Sequence, residues 1–293
     1  MSAMPSVVGP RFALVVGFCL ALSFAYIHGQ ERGLRSSKFE TVKVKDDLFV
    51  LNNPGAPGNT TVLVTDDGVL LVDDKFPVDY QNIVDAVTTI TNQPIKYLIN
   101  THYHIDHTGG NAQMQSAGVV LLSSENTREN MVEAGFKGPP SITFERRANV
   151  ALGGKRAELY YFGRGHTNGD IVVLFPEQRT LVTGGLYVTG NTTPELIDYP
   201  MGGSAKEWTQ TLDGVLGLDF DVAVPGHGVV AAKADVRKFR DSTVVLRNRV
   251  ADLVKNKASR DEIEKVMRGE FHWGDLHVNR GLDGIIAEMR FVP

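Results

Sequence analysis

Short apolar runs rich in β-branched residues are separated by turn residues in the first part of the chain, a pattern typical of β-strands. Three such segments, Thr41–Leu51, Thr61–Val64 and Val69–Val72, are divided by an Asn-Pro-Gly and an Asp-Asp-Gly sequence. A helix is predicted over Tyr80–Ile90, and a further strand over Ile95–Ile99. The first block is therefore predicted to combine several strands with a helix.

A second block repeats this arrangement later in the chain. Its β-rich runs are Leu159–Phe162, Ile171–Phe175 and Thr180–Val182. Ser204 then opens a helix, because Glu207 follows three residues later and the two form a capping box. Two such blocks suit an α/β fold in which two sheets pack face to face with helices outside.

Two further helices are predicted after residue 227. The first has a single apolar stripe, which is more typical of a helix packed on a core than of a binding surface. The stripe consists of Val236, Phe239, Leu246, Val250 and Leu253. The second helix is predicted over Ser259–Met267, where Ser259 and Glu262 form another capping pair.

Length, composition and charge agree with one compact domain. The chain has 293 residues, of which 42% are hydrophobic and 22% charged, so it can bury a substantial core. Its net charge of −4 and its scattered basic residues argue against a nucleic-acid partner.

The N-terminus has the layout of an export signal. Arg11 precedes sixteen mainly apolar residues, 12–27, and a polar stretch follows them. A membrane-spanning helix usually needs about 20 apolar residues, so a cleaved signal over residues 1–30 is favoured over a retained anchor. We therefore expect a domain over residues 31–293 that is periplasmic or secreted and contacts a membrane only if the signal is retained. The single cysteine, Cys19, lies within the signal.

The residues after the predicted strand Ile95–Ile99 are unusual for a core or a surface. His102, His104, Asp106 and His107 all fall within one six-residue stretch. Alternate residues of an extended segment point the same way, so His102 and His104 can reach one metal ion. Asp106 and His107 lie past a bend and can turn toward a second ion.

Two more histidines follow β-rich runs in glycine-rich sequence. His166 occurs in Gly-Arg-Gly-His-Thr-Asn-Gly-Asp and His227 in Val-Pro-Gly-His-Gly, so both are placed at strand ends, where functional loops gather. A single histidine, such as His272 or His277, is more often a hydrogen-bonded structural residue. The five histidines together favour a site for zinc or a related ion, because neutral imidazole and carboxylate are its usual ligands.

The His-x-His-x-Asp-His stretch, the later Gly-His-Thr and the Pro-Gly-His-Gly sequence together resemble the metallo-β-lactamase superfamily over roughly residues 40–230. The resemblance implies an αββα sandwich of the metallo-β-lactamase type. Carried over position by position, it also implies a first metal held by His102, His104 and His166. A second metal would be held by Asp106, His107 and His227.

One position departs from the family pattern. Many members have Thr-Gly-Asp, whose aspartate bridges the two metals, whereas this chain has Thr183, Gly184 and Gly185. A bridging carboxylate adds negative charge and helps to fix the separation of the ions, so its loss weakens the second site first. Lactamase subclasses without this aspartate still use two zinc ions. The expected cofactor is therefore Zn2+, with one or two ions bound.

The implied metals predict the reaction. Zinc brings the pKa of a bound water down to about 7, and a second ion can hold a carbonyl oxygen or a leaving group. By the resemblance, Asp106 is also catalytic: it ligates the second ion and orients the metal-bound hydroxide or receives its proton. We expect an exported zinc-dependent hydrolase that acts on an activated acyl bond of a small molecule, either a β-lactam-like amide or a lactone. The alternatives are a thioester or phosphodiester hydrolase, and a zinc-binding protein with little turnover.

Two loops are candidates for substrate contact. Residues 52–60 are rich in glycine and proline and could form a flap over the metals, although a plain hairpin connection explains them equally well. Residues 187–203 are long for a connection, which favours a functional loop. Tyr187 in this loop could donate a hydrogen bond to substrate, but packing explains it better.

Overall fold

The computed structural model describes residues 38–53, 57–194 and 196–290. The predicted signal over residues 1–30 lies outside these ranges. Within them the strands are β1 (Glu40–Lys45), β2 (Leu48–Asn52), β3 (Thr60–Thr65), β4 (Gly68–Val72), β5 (Ile95–Ile99), β6 (Val120–Ser124), β7 (Ile142–Phe144), β8 (Arg147–Leu152), β9 (Lys155–Tyr160), β10 (Val172–Phe175), β11 (Thr180–Gly184), β12 (Val222–Pro225) and β13 (Ala231–Ala232).

The helices of the same ranges are α1 (Tyr80–Ile90), α2 (Ile105–Thr108), α3 (Asn111–Ser116), α4 (Glu125–Glu133), α5 (Ala205–Leu216), α6 (Lys233–Lys255), α7 (Arg260–Glu270) and α8 (Asp275–Arg290). Short 3-10 turns cover Pro77–Asp79 and Tyr199–Met201. In the part of the chain that is described, no helix is long and apolar enough to cross a membrane.

The strands form two mixed sheets. The first has seven strands in the order β1 to β7, and the second has six in the order β13-β12-β11-β10-β9-β8. β4, β5, β6 and β7 run parallel in the first sheet, and β11 and β12 run parallel in the second. The segments that follow β5 and β12, including the short helix α2, carry five of the six predicted ligands.

Successive side chains along the strands point into two different hydrophobic cores. On β10, Val173 and Phe175 belong to the cluster between the two sheets. Val172 and Leu174 point the opposite way, into the cluster formed with α5, α6, α7 and α8. Because neighbouring side chains of a strand face opposite sides, a strand that is apolar at every position is one covered on both faces.

The first sheet is covered in the same way. Leu70 and Val72 of β4 face the other sheet, while Val69 and Leu71 pack with Ile83 of α1. Helices therefore lie outside two face-to-face sheets. The prediction of an α/β fold, an αββα sandwich of the metallo-β-lactamase type, is confirmed.

Several elements differ from the sequence-based predictions. The segment predicted over Thr41–Leu51 is two strands, β1 and β2, joined by a turn at Asp46 and Asp47. The run predicted over Leu159–Phe162 belongs to β9, which ends at Tyr160. Helix α8 was not predicted, although its apolar face is buried among Val278, Leu282, Ile285, Ile286 and Met289.

Candidate metal centre

Three imidazoles converge from two separate loops to form the first group, which we call the first triad. His102 and His104 follow β5, and His166 lies in the loop between β9 and β10. One nitrogen from each ring lies within 4.8 Å of those of the other two. His104 Nδ1 is 2.8 Å from His166 Nε2. The structure thus brings together the three residues that the sequence predicts for the first site.

Asp106, His107 and His227 form the second triad. Asp106 and His107 lie in the short helix α2, and His227 lies in the loop after β12. Asp106 Oδ2 is 3.2 Å from His227 Nε2 and 3.6 Å from His107 Nε2. The ring centroids of His107 and His102 are 4.2 Å apart, so the two triads adjoin.

Oxygens from the 187–203 loop hold the outer nitrogens of two rings of the first triad. His104 Nε2 is 2.9 Å from Asp198 Oδ2, and His166 Nδ1 is 2.8 Å from the Leu196 carbonyl oxygen. A carbonyl or carboxylate oxygen accepts a hydrogen, so each ring carries its proton on the outer nitrogen. The inner nitrogens, His104 Nδ1 and His166 Nε2, are left with lone pairs that face each other.

The buried carboxylate of Asp73 organises two further rings. Its oxygens accept hydrogen bonds from the Thr101 amide and hydroxyl, each at 2.7 Å, and Oδ2 is 2.8 Å from His107 Nδ1. The Thr101 hydroxyl in turn lies 3.0 Å from His102 Nδ1. One carboxylate therefore fixes the ring orientation of one histidine from each triad, as the hydrogen-bond partners of metal ligands do.

The electrostatics of the centre favour ligand forms of these side chains. Burial lowers the pKa of His102 well below its ordinary value. Burial, followed by the neighbouring His104, lowers the pKa of His166 to about 3. In Asp106 burial favours the neutral acid, but the adjoining His107 outweighs it and holds the pKa well below its ordinary value. At neutral pH His102 and His166 therefore offer neutral nitrogens and Asp106 a carboxylate, which are forms that bind zinc. The pKa of His107 is raised instead, because the attraction of the neighbouring Asp106 carboxylate outweighs the effect of burial.

Comparison with known proteins agrees with this geometry. A sequence model of the metallo-β-lactamase superfamily matches residues 53–227, more than half of the chain. The chain belongs to the metallo-β-lactamase superfamily. The predictions of that family and of a metal-dependent hydrolase are therefore confirmed.

Individual relatives match this chain at moderate sequence identity and over part of its length. The chain is 27% identical over 197 residues to a metallo-beta-lactamase type 2 of Bacillus sp. strain 170, an alignment that covers 66% of this chain and 76% of the relative. It is 30% identical over 173 residues to the alpha subunit of a 2,4-dinitroanisole O-demethylase of Nocardioides sp. strain JS1661, covering 57% of this chain and 52% of the relative. A metallo-beta-lactamase structure from Pontibacter korlensis matches with a TM-score of 0.63 at 24% identity, covering 70% of this chain and 99% of that one. At that identity the structural match shows the fold alone.

Gly185 stands at the position where many members of the superfamily are expected to have the bridging aspartate. A Cβ atom at this position would lie 2.3 Å from His166 Cδ2, a separation at which something has to move. Residue 185 therefore faces the first triad, and the His166 ring occupies the space that a side chain would need. An aspartate here would displace His166. The glycine thus provides no carboxylate at this position and at the same time leaves room for the His166 ring of the first triad.

Asp73, Lys75 and Asp198 are site residues that sequence reasoning missed. Asp73 and Lys75 have φ values of 61° and 62°, a left-handed conformation that is strained for such residues and clusters at functional sites. The buried Lys75 Nζ donates to the carbonyls of Leu51 and Gly58, at 2.8 and 2.7 Å. For Asp73 and Lys75 the sequence did contain a signal, because the charged sequence Asp-Asp-Lys directly follows the buried strand β4.

The 52–60 loop is held against the second triad in its described part. Asn59 Nδ2 donates to the carbonyls of Pro225 and Gly228, at 3.0 and 2.9 Å, on either side of His227. A Cβ atom at Gly58 would lie 2.2 Å from His107 Cε1, so the backbone there lies directly against the ring. Residues 57–60 are therefore a fixed wall of the centre rather than the tip of a flap.

Tyr187, His272 and His277 lie outside the two triads, as the sequence predicts. Tyr187 is buried, and its ring meets that of Phe239 at 5.4 Å in an edge-on arrangement, so it packs. His277 lies outside both triads, and its Nδ1 accepts a hydrogen bond from the Gly274 amide at 3.2 Å. His272 also lies outside both triads.

Proposed function

We propose that this protein is a zinc-dependent hydrolase that attacks an activated acyl bond of a small molecule, with a β-lactam-like amide or a lactone as substrate. The observation that carries the proposal is the pair of adjoining triads formed by the six predicted ligands. In four of the five histidines an oxygen outside the triads holds one ring nitrogen and leaves the other facing inward.

The donor set fits zinc. Five imidazoles and one carboxylate are typical zinc ligands, whereas magnesium and calcium prefer sets made of oxygen atoms. A zinc ion bound there would lower the pKa of a water molecule to about 7 and so supply hydroxide at neutral pH. The first triad is the better candidate for a tight site, because its rings are held by a carboxylate, a carbonyl and a hydroxyl.

Asp106 is the group best placed to handle a proton during hydrolysis. Its carboxylate lies between His107 and His227, and 20% of the side chain is exposed to solvent. Because its pKa is held low, the group is ionised at neutral pH and can orient an attacking water molecule or accept its proton. It would also contribute a ligand to the second ion.

We also propose that the protein is exported. The support is the sequence pattern of residues 1–30, with Arg11 before an apolar run.

A second candidate reaction is hydrolysis of an activated aryl ether. It is favoured by the 30% identity to the dinitroanisole O-demethylase subunit. A metal centre that presents a hydroxide nucleophile can serve either reaction, because the electrophile is chosen by the surrounding loops rather than by the ligands.

The test is turnover of defined substrates by the purified, zinc-loaded protein. The substrates are nitrocefin as a chromogenic β-lactam, a simple lactone and 2,4-dinitroanisole. We expect hydrolysis of the lactam or the lactone that is lost on treatment with a chelator and restored by zinc. Turnover of dinitroanisole alone would favour the ether reaction. No turnover of any substrate by protein that demonstrably holds zinc would contradict the enzyme and favour a zinc-binding protein.

A further inference from the structure

The C-terminal helix α8 contacts the loop that holds the first triad. This helix lies beyond residues 53–227, the part of the chain that matches the superfamily. The 187–203 loop supplies the oxygen partners of His104 and His166, through Asp198 and Leu196. Whatever fixes this loop therefore also fixes the orientation of two rings of the first triad.

Glu288 of α8 accepts three hydrogen bonds from the end of this loop and the start of α5. The Tyr199 hydroxyl donates to Glu288 Oε2 at 2.9 Å, and the Lys206 amide donates to the same oxygen at 3.1 Å. The Ser204 hydroxyl donates to Glu288 Oε1. One carboxylate thus joins α8, the loop and the N-terminus of α5.

The same face of α8 has two glycines that allow close packing. Gly281, Gly284 and Glu288 are spaced three and four residues apart, so they lie on one side of the helix. A Cβ atom at Gly284 would lie 2.2 Å from Tyr199 Cδ2. Glycine is unfavourable in a helix interior, and its presence here is explained by the Tyr199 ring that lies against it.

A second contact ties the start of α8 to an earlier part of the loop. The buried Trp273, two residues before α8, donates from Nε1 to the Pro194 carbonyl at 3.0 Å. A Cβ atom at Gly281 would lie 3.1 Å from Trp273 Cη2. The loop is therefore held by α8 and its preceding residues on both sides of Asp198.

Asp198 connects these contacts to the metal ligands. Its side chain is almost fully buried and accepts hydrogen bonds from Tyr103 Oη, at 2.5 Å, and from His104 Nε2. Its amide donates to the His166 carbonyl at 2.9 Å. Tyr199, the residue that Glu288 holds, directly follows Asp198.

We propose that Glu288 is a positioning residue of the metal centre, which acts through the 187–203 loop to hold the His104 and His166 rings in their ligand orientation. This inference rests on the proposed function, since it requires that the first triad binds a metal ion. It assigns the C-terminal helix a role in the site in addition to its place in the core.

The test compares Glu288→Ala with Asp283→Asn as a matched control. Asp283 is a carboxylate on the same helix whose partner is Arg260, at 2.7 Å, and its side chain is largely exposed. Affinity of the first site is measured by competition with a chromophoric chelator, for zinc and for cobalt, and the absorption spectrum of the cobalt form reports ligand geometry. We expect Glu288→Ala to lower first-site affinity by about 10-fold, the lower end of the loss seen when hydrogen-bond partners of metal ligands are removed. Its cobalt spectrum should also change, whereas Asp283→Asn should match the parent protein in both.

Two further variants separate positioning from folding. Tyr199→Phe removes one hydrogen bond to Glu288 and keeps the ring against Gly284, so it should fold and lower first-site affinity by a few fold. Glu288→Gln keeps one acceptor oxygen and should recover part of the affinity lost in Glu288→Ala. If the parent protein binds metal but Tyr199→Phe and Glu288→Ala keep its affinity and cobalt spectrum, with only the unfolding temperature lowered, the inference is wrong. A parent protein that binds no metal would instead contradict the proposed function, so the two failures are distinguishable.

Discussion

Replacing His104 with alanine is expected to abolish tight metal binding at the first triad and, with it, turnover. The three imidazoles of this triad have no carboxylate among them, so the loss of one leaves two neutral donors for the ion. It also leaves the buried Asp198 carboxylate without its histidine partner. Metal affinity should fall by more than about 100-fold, the upper end of the effect of removing a hydrogen-bond partner of a ligand. Metal analysis after gel filtration and a chelator competition measure this loss.

The matched comparison is His227→Ala. It removes a ligand of the second triad and should spare the metal of the first, so this variant is expected to retain one bound ion. His277→Ala serves as a control, because His277 lies outside both triads and should leave metal content unchanged. Equal metal content in His104→Ala and His227→Ala would contradict the assignment of these residues to two different sites.

Asp106→Asn is expected to lower kcat by about 10²–10⁴-fold, the range attributed to a positioned acid or base. The amide has nearly the shape of the carboxylate, but it lacks the negative charge and cannot accept a proton at neutral pH. The charge matters here because Oδ2 lies 3.2 Å from His227 Nε2 and 3.6 Å from His107 Nε2. Steady-state kinetics of zinc-loaded protein measure the effect, with metal content determined on the same sample.

The control for Asp106→Asn is Asp219→Asn. Asp219 is an exposed carboxylate that pairs with Arg179, and its loss should leave kcat unchanged. A kcat for Asp106→Asn within twofold of the parent value, in protein with full metal content, would show that the carboxylate has no part in the chemical step.

The sequence predicts the members of the two triads better than it predicts the residues that surround them. His102, His104, Asp106 and His107 are close together in the chain and follow a short apolar strand, so their proximity is a local property. His166 and His227 are distant in sequence, but each occurs in glycine-rich sequence after a β-rich run. The two sheets then bring these strand ends together.

The partners that orient the ligands could not be predicted, because their roles depend on tertiary contacts. Asp198 lies 94 positions from His104, and Glu288 lies 89 positions from Tyr199. Neither is marked by a local sequence pattern that connects it to the histidines. Helix α8 escaped prediction because its two interior glycines lower helix propensity, and only the packing of Tyr199 and Trp273 against them explains why they are present.

At Gly185 the sequence predicts one structural consequence but not another. The sequence comparison with the family pattern detects that a carboxylate is absent, which predicts a weaker second site. It does not show that a Cβ atom at this position would lie only 2.3 Å from the His166 ring. Only the three-dimensional arrangement reveals that the glycine also affects the first triad.

The most direct test of the proposed metal centre is anomalous X-ray scattering at the zinc absorption edge, from crystals of the protein grown with zinc. We expect the strongest peak at about 2.0–2.1 Å from the inner nitrogens of His102, His104 and His166. A second, weaker peak is expected beside Asp106, His107 and His227. Crystals in which zinc is bound elsewhere, with no peak at the first triad, would contradict the claim that these six residues form a metal centre.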